Sequence, residues 1–190
     1  MIDNKNSSLD EEASNIFLKN NINPDIKQKV ILTPSEKFEN CKNIGDVYEL
    51  VKETVERVIG SRRAGLTLYL ADLPMNIGGL HQIGSNSIVM NRTLLKAIES
   101  MAKSKNDVNS FTYFILLHEY LHALGYAEEE KVRELTYYIT VSSFGKGHFT
   151  TKLSKMGFAY ILKQISHVPR EEGKIEIVKD FDRSSMSYIG

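Results

Sequence analysis

Between Asn43 and Gly60 the apolar residues Val47, Leu50, Val51, Val55 and Val58 recur at three- and four-residue spacing, with Thr54 on the same stripe. That period marks one face of an amphipathic helix, which Asp46 can cap and Gly60 stops. Gly65 to Asp72 (GLTLYLAD) switches to alternation and strand-forming residues, and Ser87 to Met90 (SIVM) is a second such segment after the Gly78-Gly79 and Gly84 breaks. The two read as strands of one sheet. Asn91 can cap a helix through Thr93, Leu94, Leu95, Ala97 and Ile98, after which a loop from Lys103 to Asn109 leads into a strongly apolar helix over Ser110 to Leu124. Gly125 ends that helix as a left-handed cap residue does, and Glu128, Glu129 and Glu130 open the next with acids at the positive end of its dipole. A third helical stretch is expected from about Thr150 to Ile165, after Gly145, Gly147 and His148, and Ile175 to Val178 (IEIV) reads as a short edge strand. The order predicts an α+β domain: one small mixed sheet, helices packed on it, and a helical C-terminal half.

Residues 1–42 are rich in Asn, Lys, Ser and acids, with apolar residues too sparse to order much backbone against its entropy cost; they are expected to form a polar arm with short helical pieces, leaving 43–190 as the folded domain. Lysine plus arginine and aspartate plus glutamate each number 24 of the 190 residues, so no global field draws the chain to nucleic acid or anionic lipid. Arg57, Arg62 and Arg63 make a small basic patch without interleaved aromatics, which reads as a solvated helix end. The longest uncharged apolar stretch, Phe111 to Leu117, is far short of the roughly 20 residues that cross a bilayer, and the first residues lack the basic-then-apolar order of a secretory leader. A single cysteine, Cys41, excludes an internal disulfide and any zinc site needing two thiolates; a reducing cytoplasm is the expected compartment.

His118, Glu119 and His122 form HEYLH inside the apolar helix. Residues four apart on a helix differ by about 400° of rotation, so both imidazoles point the same way and can bind one metal ion at about 2.0–2.1 Å each. Glu119, rotated by about 100°, flanks that ion and can take a proton from water beside it. With five histidines in 190 residues, chance would give such a string on the order of 0.01 times, so the match calls for a chemical account. Zinc is the ion this donor set favours, and a catalytic zinc site usually adds a third protein ligand. Glu128 is the first candidate, because Gly125 lets the chain turn back and residues 118–128 read HExxHxxGxxE; Glu129 is the same choice shifted by one. His148 competes as a nitrogen ligand that follows the Gly147 turn and starts a helix.

His118, Glu119 and His122 resemble the HExxH motif of the zincin metallopeptidases, which implies two zinc ligands and a general base at Glu119. The longer HEYLHALGYAE is similar to the metzincin signature, with Glu128 where that family has a histidine, and Ser184 to Tyr188 (SSMSY) resembles its Met-turn, which would set Met186 beneath the metal. The same string also resembles YbeY-type single-strand endoribonucleases, matching at His118, Leu121, His122, Leu124, Gly125 and Tyr126 but not at Glu119 or Glu128; Gly147-His148 is similar to the last ligand of SprT-like proteases. The zincin resemblance implies hydrolysis of a peptide or unfolded protein held along the strand before the metal helix, with Gly84 to Met90 as the counterpart. In that setting His81 would line the cleft and Tyr126 would donate to the oxyanion. The alternatives are a metal-dependent endoribonuclease and a zinc-binding interaction module without turnover.

Overall fold

The alternating segment around Tyr69 forms β1 (Thr67–Ala71), which pairs in parallel with β3 (Ser87–Asn91), Leu68 opposite Ile88 and Leu70 opposite Met90. Ile175–Val178 is β4, antiparallel to β1 at one edge of the sheet. The other edge is β2 (Gly79–His81), antiparallel to β3, so the strand order is β2-β3-β1-β4. The computed structural model describes residues 32–165 and 175–183. Against expectation, Gly84 to Met90 offers no free edge: β3 is paired on both sides, and the edge strand beside it is the Gly-Leu-His segment just before it.

The helices are α1 (Pro34–Glu39), α2 (Ile44–Ile59), α3 (Arg92–Met101), α4 (Lys105–Ala123), α5 (Glu129–Phe144), α6 (Phe149–Met156) and α7 (Phe158–Gln164). The fold is thus the mixed-sheet α+β type that the sequence predicts. Asn43, not Asp46, caps α2 by accepting from the Asp46 N–H, and Gly60 closes it at φ 69°. The stretch read as a loop over Lys103 to Asn109 is instead the first turns of α4, started by a capping box in which Ser104 and Asp107 satisfy each other's backbone N–H groups. The third helical stretch is broken at Gly157, whose φ of 76° separates α6 from α7.

The compact unit begins at Thr33, earlier than the expected boundary at Asn43. Thr33 and Glu36 form a capping box around Pro34, and α1 then delivers Phe38 into the core at 1% exposure, edge-on to Tyr113 and Phe144. A single buried aromatic offsets the local polarity that makes 33–42 look like an arm. After β4 the chain is fastened by Phe181, stacked on Tyr48 at 3.9 Å, and by Asp182, whose Oδ1 lies 2.6 Å from the fully buried Lys52 Nζ. The Asp182 Oδ2 accepts from the Gly65 and Leu66 N–H groups just before β1. Among the described residues no helix is long and apolar enough to cross a membrane.

Candidate metal centre

The α4 helix is enclosed on most sides, with Tyr113, Leu116, Leu117, Tyr120 and Leu121 fully buried between the sheet and the neighbouring helices. His118 and His122 lie on the one stripe left partly open. The helix ends where its glycine dictates. Gly125, at φ 100°, donates to the His122 carbonyl, and Tyr126 donates to the Leu121 carbonyl, which is the Schellman pattern of a helix C-terminus. The reversal brings the Tyr126 carbonyl to 2.8 Å from His122 Nδ1. That carbonyl can only accept, so Nδ1 is the donor in this pair and Nε2 is the nitrogen turned toward His118 and Glu129. Arg63 ties the same helix end to the β2–β3 turn: its guanidinium donates to the Ala123 carbonyl, to Ser85 O at 2.8 Å and to Asn86 Oδ1 at 2.7 Å. The sequence reading of Arg63 as a solvated helix end is therefore corrected.

Four potential donor atoms from three side chains converge beside this turn. His118 Nε2 and His122 Nε2 are 3.2 Å apart, Glu129 Oε1 is 3.1 Å from the second, and Glu129 Oε2 is 3.3 Å from the first. Donors on a tetrahedral ion at about 2.0–2.1 Å are separated by about 3.3 Å, which is close to the spacing of the two imidazole nitrogens and of each from its own Glu129 oxygen. Burial holds the His118 imidazole below its ordinary value, against the pull of Glu129, which favours the neutral ring that a metal ligand must be. Among the described residues, His118, His122 and Glu129 are the His/Cys/Asp/Glu group close enough to share an ion. The residues present fit a divalent metal of the zinc type.

Glu119, one residue on from His118, is outside this group of donors and packs against Gly79 of β2 while lining the same cavity. It is 6% exposed, its Cγ lies against Gly79, and its carboxylate accepts the backbone N–H of His81. Burial, with Glu129 nearby, pushes its pKa up to about 8; a cation held by the neighbouring donors would lower it again and leave the group ionised. A Cβ on Gly79 would come within 3.0 Å of Glu119 Cγ and 3.1 Å of Val89 O, so only glycine lets the edge strand approach the acid this closely.

The other expected site residues are placed as follows. Glu128 is the N-cap residue of α5, extended at ψ 117°, and its side chain makes no capping bond; Glu129, the first helical residue, is the one that meets the imidazoles. Glu128 is extended and Glu129 already helical, so the one-residue difference decides which acid meets the imidazoles. His148 lies beyond the 16-residue α5, about 24 Å of helix from Glu129. It stacks on Phe144 at 4.7 Å, meets Phe38 edge-on and caps α6 by accepting from the Thr150 N–H, a structural post with no part in the metal group. Tyr126 contributes its carbonyl rather than its phenol, and its ring packs against the core. His81 contributes its main chain to Glu119, while its Nδ1 pairs with Ser87 O at 2.9 Å. The Met-turn resemblance at Ser184 to Tyr188 lies outside the described residues.

A cavity of about 450 Å³ opens onto this centre, lined by His118, Glu119 and Glu129, by Ile77, Gly78 and Gly79 of the edge segment, and by residues of α4 to α7. Asn91, fully buried at the end of β3, shapes the rim: its side-chain amide donates to the carbonyls of Leu73, Pro74 and Ile77, and its oxygen caps α3. The sequence marked Asn91 only as a helix cap. Comparison with protein-family models, with curated proteins and with solved structures found no match for this chain.

Proposed function

We propose that this protein is a zinc-dependent metallopeptidase. Its ion would be held by His118, His122 and Glu129, with Glu119 as the general base. The reading is carried by one observation: a buried acid, Glu119, lines the same cavity as His118 and Glu129, which with His122 form a group whose potential metal donors approach one another to 3.1–3.3 Å. The ion, when bound, supplies a Lewis acid that polarises a carbonyl and acidifies water. Glu119 does the proton work. It accepts a proton from the attacking water and returns it to the amine nitrogen as the carbon–nitrogen bond breaks, so that one water is consumed for each peptide bond. The His81 N–H fixes the orientation of that carboxylate, and the Tyr126 carbonyl fixes the tautomer of His122.

The edge strand β2 runs beside the same acid, and an extended peptide can add to such an edge through main-chain hydrogen bonds. Among the described residues the cavity wall offers two carboxylates and one arginine, a poor match to the row of cations that tracks a nucleic-acid backbone, so the endoribonuclease alternative has less support. The test is Glu119→Gln in the zinc-loaded protein. Hydrolysis of an unfolded protein substrate should fall at least about 100-fold with zinc still bound. Equal turnover by wild type and variant removes Glu119 from the mechanism, and cleavage of single-stranded RNA but no protein would move the activity to the rival class.

A further inference from the structure

The cavity beside the metal donors has a wall that the hydrolytic chemistry does not use. Its apolar part is made by Ile77, Phe114, Ile115, Met156 and Phe158. Its polar part includes Arg133 on α5, the one cationic side chain among the described residues that line it. Arg133 stands four residues after Glu129, hence on the same face of α5 and one turn deeper along it. Its Nε donates to the Glu129 carbonyl at 3.3 Å, and among the described residues it makes no ion pair. The neighbouring Lys131, by contrast, pairs with Glu134 on the outer surface. The Arg133 charge also acts on His118, which places the guanidinium within electrostatic reach of the metal donors. The acids in the same cavity are already engaged: Glu119 with the His81 N–H, Glu129 with both imidazoles.

A planar guanidinium with unused N–H groups, solvent-exposed on the wall of a cavity of mixed apolar and polar lining, matches a carboxylate in geometry and in charge. We propose that this cavity is a carboxylate-recognising subsite: the substrate fills it with an apolar or aromatic group and presents a carboxylate to Arg133, within a residue or two of the bond that is cut. This deepens the metallopeptidase reading and rests on it. A carboxylate near the scissile bond of a peptide has two sources, the chain's own C-terminus or an acidic side chain, and both offer the same chemistry to Arg133.

The test uses the zinc-loaded full chain, as wild type, Arg133→Gln and Arg133→Glu, with N-acetylated peptide mixtures ending in either a free acid or an amide. Product masses report where each peptide is cut. Wild type should prefer carboxylate-bearing peptides by at least about tenfold. The preference should vanish in Arg133→Gln and turn toward lysine- and arginine-bearing peptides in Arg133→Glu. Loss of the preference on amidation assigns the carboxylate to the C-terminus; loss on Glu-to-Gln replacement within the peptide assigns it to a side chain. Wild-type cleavage without a carboxylate preference, or a preference that survives Arg133→Glu, overturns the proposal.

A binding measurement separates this failure from failure of the peptidase reading. N-acetylphenylalanine and its amide are titrated into the zinc-loaded protein and followed by NMR. The acid should bind at least about tenfold more tightly to wild type than to Arg133→Gln, and the amide should not distinguish the two. If no peptide is cut but this difference holds, the subsite stands and the peptidase reading falls. If the acid binds both proteins equally, the subsite falls whatever the enzyme does.

Discussion

On the proposed ligand set, replacing Glu129 by Ala should remove most of the stabilisation that added zinc would give, and replacing Glu128 by Ala should leave it intact. The Glu129 carboxylate spans both imidazoles at 3.1 and 3.3 Å, whereas Glu128 makes no cap and belongs to no donor group. Loss of a residue that merely orients a metal ligand costs about 10–100-fold in affinity, so loss of a direct ligand should cost at least about 100-fold. At a free zinc concentration well above the wild-type Kd, that is about 2.7 kcal/mol of lost stabilisation. For a domain of this size, where 1 kcal/mol moves Tm by about 2–4 °C, the zinc-induced rise in Tm should shrink by about 5–11 °C. Glu129 is 64% exposed, so the metal-free proteins should melt within about 1–2 °C of each other, which isolates the metal term. The assay is thermal unfolding by circular dichroism with and without zinc in a metal buffer. A zinc shift that survives in Glu129→Ala and disappears in Glu128→Ala would refute the assignment of the third ligand.

Three further outcomes follow from the packing. Asp182→Ala removes the 2.6 Å carboxylate partner of the buried Lys52, which also pairs with Glu49 at 2.8 Å, and it takes the acceptor from two N–H groups just before β1. Urea unfolding should show a loss of about 3–5 kcal/mol, and a loss below about 1 kcal/mol would mean that the C-terminal fastening contributes little. His148 is held below its ordinary pKa by burial, against the weaker pull of Glu39. Its contribution to stability is therefore complete above the unfolded value of about 6.5 and lost as pH falls through the lower folded value, so wild type should lose more stability between pH 7.5 and 5 than His148→Leu. Equal losses would show that His148 is not the group that titrates. Gly79→Ala presses a methyl group on Glu119 and Val89, and steady-state kinetics should show kcat lowered at least about tenfold with zinc affinity unchanged; unchanged kcat would detach the edge strand from the catalytic acid.

The parts of this molecule that were legible in its sequence are those whose signal is local. The stripe from Val47 to Val58, the alternation of β1 and the HEYLH spacing each report a period within one element, and α2, β1, α4 and the paired imidazoles follow directly from them. The edge strand β2 was hidden because it has three residues, begins at a glycine and gains its order from pairing with β3. Glu129 was hidden behind Glu128 because the choice depends on how far the chain runs extended after the Gly125 turn, and no side-chain pattern encodes that length. Arg63, Asn91 and Asp182 act through partners 14 to 130 residues away, so their roles emerge only when the chain is folded. Arg133 carried a faint signal, an arginine one turn beyond a candidate ligand, which gains meaning once the cavity is seen.

The most direct test of the metal centre is diffraction from crystals of the zinc-loaded protein, with anomalous data collected at the zinc edge. A single strong peak is predicted within about 2.0–2.2 Å of His118 Nε2, His122 Nε2 and a Glu129 carboxylate oxygen, with Glu119 beside it and not bound to it. A zinc ion ligated by Glu128 or His148, or the absence of zinc between the two imidazoles at saturating metal, would contradict it.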